Sequence, residues 1–393
     1  MSPAIRSRES EHKLRFNQDG TFQISVFSDL HFAENATLDD MTKEVVAYVI
    51  EEENIDLVVL NGDLISGEAT NSSNAGDYLD EVVSPLVNAG QLWASTYGNH
   101  DSNVNLNPMK DIYDKERRYN NSLTHSMISS QDAGITNYYL PVYPHDTSES
   151  TPALILWFFD SKGGSYPINS TEGSASGTRS DWVIEWFQET NANLTAQYHT
   201  MIPSISFYHI PAHAMREYQE EGVDSNTTPG LNGEDVVSQG SGDTDYTGQD
   251  RAFMKALLNT TGMIATFSGH DHDNDWCFKW NSVVDRNLSG DGISMCYGRH
   301  TGYGGYGDAA RGGRQILFNQ STIQNEVRTW VRLEDGTISA PVTLNQTYGQ
   351  DQYTAVLRRE LQTSGASGFD SGSFSLLWAV CLTVSSLLNM IHL

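Results

Sequence analysis

Five short stretches of this chain bring together side chains that bind metals or move protons: Asp29-Leu30-His31, Gly62-Asp63, Gly98-Asn99-His100-Asp101, His209, and Gly269-His270-Asp271-His272. Taken singly, each is short enough for a polar turn to explain it. Together they supply carboxylates from Asp29 and Asp63, imidazoles from His31, His209, His270 and His272, and an amide oxygen from Asn99, with no cysteine among them. Oxygen and nitrogen donors of this kind suit Zn, Mn or Fe, and there are too many for one tetrahedral ion. Two divalent ions about 3.5–4 Å apart would use them all, with Asp63 as the natural carboxylate bridge. Water shared by such a pair loses its proton near neutral pH and becomes the nucleophile for in-line attack on phosphorus. His100, next to Asn99, is then expected to stabilise developing charge or to protonate the leaving alcohol. Asp101 is expected to hold the His100 tautomer.

Each stretch follows a strand-like run. Phe22–Ser28 delivers Asp29 and His31, Asp56–Asn61 delivers Asp63, and Leu92–Tyr97 delivers the Gly98–Asp101 turn. Apolar residues at Met41, Val45, Val46, Val49 and Ile50 predict a helix over 37–54, and 77–88 predicts a second. The order is thus β-α-β-α-β, with chemistry just past the C-terminal end of each strand, where open α/β sheets place their ligand sites. Further on, the spacing predicts helices over 108–119, 181–190 and 250–258, and extended runs over 138–143, 153–159, 205–208 and 263–268. The last two deliver His209 and the His270–His272 pair. Residues 220–249, rich in Gly, Asp, Ser and Thr, are predicted to be a long surface loop near the site mouth. Residues 276–297 and 328–342 are predicted to be hairpins. No internal repeat is visible.

Length permits either several average domains or one large α/β unit. The balance of 50 acidic against 23 basic residues gives a net charge of −27, which repels nucleic acid and anionic membranes. A phosphorylated substrate would need local positive charge, for which bound metal ions are the obvious source. The C-terminal run 376–393 lacks any Asp, Glu, Lys or Arg and follows small residues Ser364-Gly365-Ala366 and a polar spacer. That layout predicts a GPI-attachment signal, with a membrane-spanning tail as the alternative. Without Cys381, which lies in the tail, Cys277 and Cys296 remain as a disulfide pair suited to an oxidising compartment. Glycosylation sequons at Asn35, Asn71, Asn120, Asn169, Asn193, Asn226, Asn259, Asn287, Asn319 and Asn345 agree with secretion. Residues 1–15 contain no apolar signal-peptide core, so either the natural chain begins earlier, which is the expectation, or the tail is not an anchor signal. The expected organisation is an N-terminal segment (1–20), one catalytic domain (21–350), a polar linker (351–375) and the hydrophobic tail (376–393).

In order and spacing the five stretches resemble the calcineurin-like metallophosphoesterases. The resemblance implies a four-layer α/β/β/α sandwich of two mixed sheets. It also implies one metal held by Asp29, His31, Asp63 and His272, and the other by Asp63, Asn99, His209 and His270. The His209-Ile210-Pro211 context and the Cys296–Tyr306 segment look like the purple-acid-phosphatase-like branch of plants and fungi. Arg299 and His300 are expected to meet a substrate phosphate from the rim, and His213 is a weaker candidate for the same role. Gly62-Asp63-Leu64-Ile65-Ser66 lacks the Arg that follows in protein Ser/Thr phosphatases. Purple enzymes supply a metal-bound tyrosine three residues after the bridging Asp, where this chain has Ser66. His31 is expected to refill that coordination position, giving a colourless enzyme with two divalent ions. The expected activity is an extracellular phosphomonoesterase acting on a small phosphorylated substrate. The alternatives are a phosphodiesterase or nucleotide hydrolase on the same site and, from another class, a non-catalytic surface glycoprotein.

Overall fold

A strand with no polar interruption must be covered on both faces, and the apolar runs of this chain are. The structure, a computed structural model, describes residues 12–102, 110–129, 133–161, 178–239, 246, 248–281, 283–284 and 288–355. The first half runs β1 (Thr21–Phe27), α1 (Ala36–Glu52), β2 (Leu57–Asn61), α2 (Ala75–Ala89), β3 (Trp93–Thr96), α3 (Lys110–Glu116), β4 (Tyr138–Val142) and β5 (Leu154–Phe158). There follow α4 (Thr178–Tyr198), β6 (Ser204–Phe207), α5 (His213–Glu221), α6 (Arg251–Asn259) and β7 (Met263–Ser268). The strands β8 (Cys277–Lys279), β9 (Val283–Val284), β10 (Leu288–Ser289), β11 (Ser294–Tyr297), β12 (Gly312–Asn319), β13 (Val327–Leu333) and β14 (Ile338–Leu344) complete the chain.

Two six-stranded sheets result, ordered β14-β13-β12-β1-β2-β3 and β4-β5-β6-β7-β11-β8. Both are mixed: β1, β2 and β3 are parallel while β12 runs against β1, and β5, β6, β7 and β11 are parallel while β4 and β8 flank them in reverse. Alternate residues then separate into distinct cores. On β2, Leu57 and Val59 join the layer between the sheets, and Val58 and Leu60 face α1 and α2. On β5, Leu154, Leu156 and Phe158 join the same central layer, while Ile155 and Trp157 pack with residues of α4, α5 and α6. Helices therefore cover both outer faces, and the expected four-layer α/β/β/α sandwich is what forms.

Some of this differs from the sequence reading. β12 was not anticipated, because its Gly312-Gly313-Arg314 start interrupts the apolar pattern, yet it sits between β1 and β13 in the middle of its sheet. Of the N-terminal segment only residues 12–20 are described; there Leu14 and Phe16 are buried in the central layer, and Phe16 N–H donates to the Tyr143 carbonyl. Cys277 and Cys296 lie opposite each other on β8 and β11 and are disulfide-bonded. Among the described residues no helix is long and apolar enough to cross a membrane. The predicted tail and all but the first residues of the linker lie outside the described residues.

The loop after β3 is held from beneath by one buried carboxylate. Glu116, fully enclosed, accepts from Trp93 Nε1 at 2.9 Å, Ser95 Oγ at 2.7 Å, Tyr97 Oη at 2.6 Å, Ser122 Oγ at 3.2 Å and Thr124 Oγ1 at 2.6 Å. Removing it would strand all these donors in a dry interior. Glu116→Ala is expected to lower unfolding free energy by about 3–5 kcal/mol, read by urea denaturation, with Glu116→Gln recovering part of the loss.

Candidate metal centre

The five stretches all leave their strands at the same edge, where the two sheets meet. β1, β2 and β3 are adjacent, as are β6 and β7, so their C-terminal loops converge. Turning sharply there puts non-glycine residues at positive φ: Asp29 (58°), His31 (50°), Asp63 (51°) and His270 (79°). Such strain is uncommon and collects at functional sites. Two glycines are required by space. A Cβ on Gly98 would lie 2.2 Å from Asp63 Oδ1, and one on Gly62, itself at φ 91°, would lie 2.3 Å from His209 Nδ1. Backbone bonds lock the loops together: His270 N–H donates to Asp29 Oδ1 at 3.0 Å, and His100 N–H donates to Asp63 Oδ1 at 2.8 Å.

The side chains gather into three overlapping groups: Asp29, His31 and His272; Asp63, His209 and His270; and His31, Asp63 and His100. The first group draws on the first and last stretches, the second on the second, fourth and last, and Asp63 also joins the third. His209 Nε2 lies 2.9 Å from Asp63 Oδ2 and 3.7 Å from Asp29 Oδ1. His272 Nε2 also lies 3.7 Å from Asp29 Oδ1, and His31 Nε2 lies 3.8 Å from Asp63 Oδ2. Asn99 is half-buried on the same loop as His100.

Three of the imidazoles commit Nδ1 away from this cluster. His209 meets the Asn61 carbonyl at 2.9 Å, His272 the Tyr306 carbonyl at 2.9 Å, and His31 the Ser66 hydroxyl at 2.9 Å. A carbonyl only accepts, so His209 and His272 carry hydrogen on Nδ1, which leaves Nε2 as the nitrogen that can take a metal. Nε2 of His31 and Nε2 of His272 nevertheless stand 3.2 Å apart. Imidazole nitrogens turned on each other and on carboxylates suit a site built around cations, so the donor set fits a pair of divalent ions.

Protonation agrees. Burial lowers His31, holds His270 down to about 3 and keeps His272 well below its usual range, which leaves neutral imidazoles fit to bind metal. Burial raises Asp29 to about 7, with the Asp63 charge adding to it against an opposing pull from His209. Asp63 moves down despite its burial, because His209 and His31 surround it. His209, buried as well, rises to about 10 beside Asp63 and Asp29.

Some expected roles change on inspection. Asp101 does not hold His100. Its carboxylate accepts from the backbone of Leu64 (2.9 Å), Ile65 (3.1 Å) and Gly98 (2.8 Å), tying the loop after β3 to the loop after β2. The partner of His100 is Glu68, whose Oε1 lies 2.7 Å from His100 Nδ1. Although partial burial opposes it, the Glu68 contact and the Asp63 charge raise His100 to about 9. Glu68 was missed because nothing marks an acidic residue in a turn as a partner; its place in the turn after Asp63 was the only signal. Arg299 is not at the rim either. It is fully buried, bonded to Asp275 at 2.7 Å and to the Ala310 carbonyl at 2.9 Å. His300 is buried as well, its ring 3.9 Å from that of His272, so it packs behind His272 and does not face solvent. His213 is enclosed between Glu217 (3.2 Å), Ser238 (3.2 Å) and the parallel ring of Tyr246. What does line the mouth is Tyr306, half exposed and stacked on His272 at 4.0 Å, its hydroxyl donated to Glu234. Glu234 belongs to the predicted loop, which is anchored here by Val237 N–H on the Asp271 carboxylate.

Comparison with known proteins accords with this geometry. The Arabidopsis thaliana protein named "Probable inactive purple acid phosphatase 28" is 26% identical over 379 residues, spanning 85% of this chain and 86% of the relative. Phosphatase DCR2 of Saccharomyces cerevisiae is 25% identical over 82% of this chain but only 55% of its own length. Among solved structures, a dimetal phosphatase from Danio rerio superposes with a TM-score of 0.51 at 13% identity, covering 82% of this chain and 98% of that one, a likeness of fold. The family model for calcineurin-like phosphoesterases matches residues 22–274, a span that contains every one of the five stretches. The chain belongs to the calcineurin-like phosphoesterase family.

Proposed function

We propose that the chain is a two-metal phosphomonoesterase of the cell exterior, with Asp29, His31, Asp63 and His272 holding one divalent ion and Asp63, Asn99, His209 and His270 the other. The observation that carries this is the convergence of Asp29, Asp63, His31, His209, His270 and His272, with His31 Nε2 and His272 Nε2 3.2 Å apart beside the two carboxylates. Bound there, the ions would supply an activated water and neutralise phosphate charge in an otherwise acidic protein. The remaining work falls to side chains. Glu68 holds Nδ1 of His100 and favours its imidazolium, so the ring can give a proton to the leaving alkoxide. Asp101 fixes the backbone that carries Asn99 and His100. Tyr306 and Glu234 shape the mouth against His272.

A monoester leaves its second phosphate oxygens free to meet two cations, whereas a diester must also fit a second substituent. Hydrolysis rates on a mono- and a diester of the same phenol decide between them. The monoester is expected to be faster by at least about tenfold, and a preference for the diester overturns this choice. The relative whose name includes "inactive" gives the non-catalytic reading some weight, but no donor position of this chain is substituted. Zn, Mn or Fe would suit the donors, and no phenolate colour is expected, since Tyr306 donates its hydroxyl to Glu234. The exterior location is supported by the disulfide and by the sequon asparagines. Of those described, Asn35, Asn71, Asn120, Asn193, Asn226, Asn259 and Asn319 are exposed and Asn345 is half-buried. The GPI anchor rests on the sequence of the tail alone.

A further inference from the structure

We infer that Glu34, Ser66 and His31 form a directed hydrogen-bond relay that sets the tautomer and aim of a metal-binding nitrogen, which makes Glu34 and Ser66 positioning residues of the centre. The inference rests on the two-metal reading above. A serine hydroxyl has one proton, and that of Ser66 goes to Glu34 Oε1 at 2.6 Å, since a carboxylate can only accept. The Ser66 oxygen stands 2.9 Å from His31 Nδ1 and must therefore accept there. His31 accordingly carries its hydrogen on Nδ1 and keeps Nε2 bare, facing His272 Nε2. Ser66 and His31 are both buried, so no solvent substitute for the bond is at hand.

The same carboxylate reaches the second imidazole. Glu34 Oε2 accepts from Gly305 N–H at 2.9 Å. Gly305 lies so close over the rings that a Cβ there would come within 2.6 Å of His272 Cε1 and 3.0 Å of His31 Cδ2. Its neighbour Tyr306 supplies the carbonyl that takes His272 Nδ1–H. Glu34 thus pins, by its two oxygens, the supports of both facing nitrogens, although its own side chain is about one-third exposed at 33%.

Cobalt(II) titration of the full chain against a competing chelator, with visible spectra of the bound ion, tests the relay. Loss of a hydrogen-bond partner behind a ligating histidine typically costs 10–100-fold in metal affinity. Ser66→Ala and Glu34→Ala are expected to weaken one of the two bound ions by about that factor and to change its spectrum, with the other ion and the thermal unfolding midpoint unchanged. Ser66→Thr, which keeps the hydroxyl, is expected to restore both. Wild-type affinity in Ser66→Ala and Glu34→Ala overturns the relay while leaving the metal centre intact. Equal weakening of both ions with a lowered unfolding midpoint would give Ser66 a merely structural role and also overturns it. Failure of the wild-type chain to bind cobalt overturns the two-metal reading, and the relay with it. Should Ser66→Ala not fold, Glu34→Ala at the rim carries the test alone.

Discussion

Asp63→Asn is expected to empty the centre of at least one ion and to lower kcat/KM by about four orders of magnitude, on the order of 5.5 kcal/mol of transition-state stabilisation. The change is nearly isosteric, so folding should survive it. What it removes is the charge shared between two donor groups. Asp63 Oδ2 sits 2.9 Å from His209 Nε2 and 3.8 Å from His31 Nε2, and Oδ1 takes the His100 backbone N–H at 2.8 Å. An amide there can bind one cation weakly through oxygen and cannot bridge two as an anion. Its NH2 would also face His209. Steady-state rates on an aryl phosphomonoester, with metal content measured on the same preparation, check the expectation. Activity within about tenfold of wild type would mean that Asp63 is a structural acid and not the bridge.

The second large effect belongs to His100. His100→Ala should keep the bound metals and lose about a hundredfold or more in kcat, the usual range for a positioned general acid, with KM little changed. Its ring lies 4.8 Å from that of His31, near the cluster but directed by Glu68 and not by the metal donors. Glu68→Gln, which keeps a hydrogen-bonding side chain but removes the charge favouring imidazolium, is expected to lose about tenfold. The split between the two variants is informative. If His100→Ala also loses metal, the ring is a ligand, as its grouping with His31 and Asp63 would permit. If it keeps both metal and rate, proton transfer to the leaving group comes from elsewhere.

These effects bear on how much the sequence could say. That these side chains would cluster was legible because each occupies the tip of an apolar strand, and strand tips of a parallel sheet share one edge. Asp29 and Asp63 could be placed together from β1 and β2 alone. That His209 and His270 would reach them from a second sheet was not legible from periodicity; it depends on how two sheets pack, which the resemblance implied and the central layer of Ile24, Val59, Phe158 and Phe207 now accounts for. Sheet order was equally hidden. β12 returns beside β1 from far along the chain, Thr21 facing Asn319, and its short apolar run Ile316-Leu317-Phe318 begins only after Gly312-Gly313-Arg314-Gln315.

Residues that act through others were the least legible. Arg299 and His300 looked like phosphate contacts because their types suit phosphate, but burial decides otherwise: Arg299 neutralises Asp275 inside the fold, and His300 packs behind His272. Asp101 followed His100 in sequence, and adjacency suggested partnership. In a tight turn, consecutive side chains diverge, so Asp101 meets the backbone below while the ring turns to Glu68. Ser66 was read only as an absent tyrosine, and its hydroxyl proves to support His31. Spacing identifies donors that converge on one point; it says little about what stands behind them.

Metal analysis of the purified, natively folded chain by inductively coupled plasma mass spectrometry tests the central claim most directly. Two Zn, Mn or Fe ions per chain are expected after gentle purification or after incubation with excess metal and desalting. A folded chain that retains none under both treatments would contradict the two-metal phosphoesterase and leave the non-catalytic glycoprotein in its place.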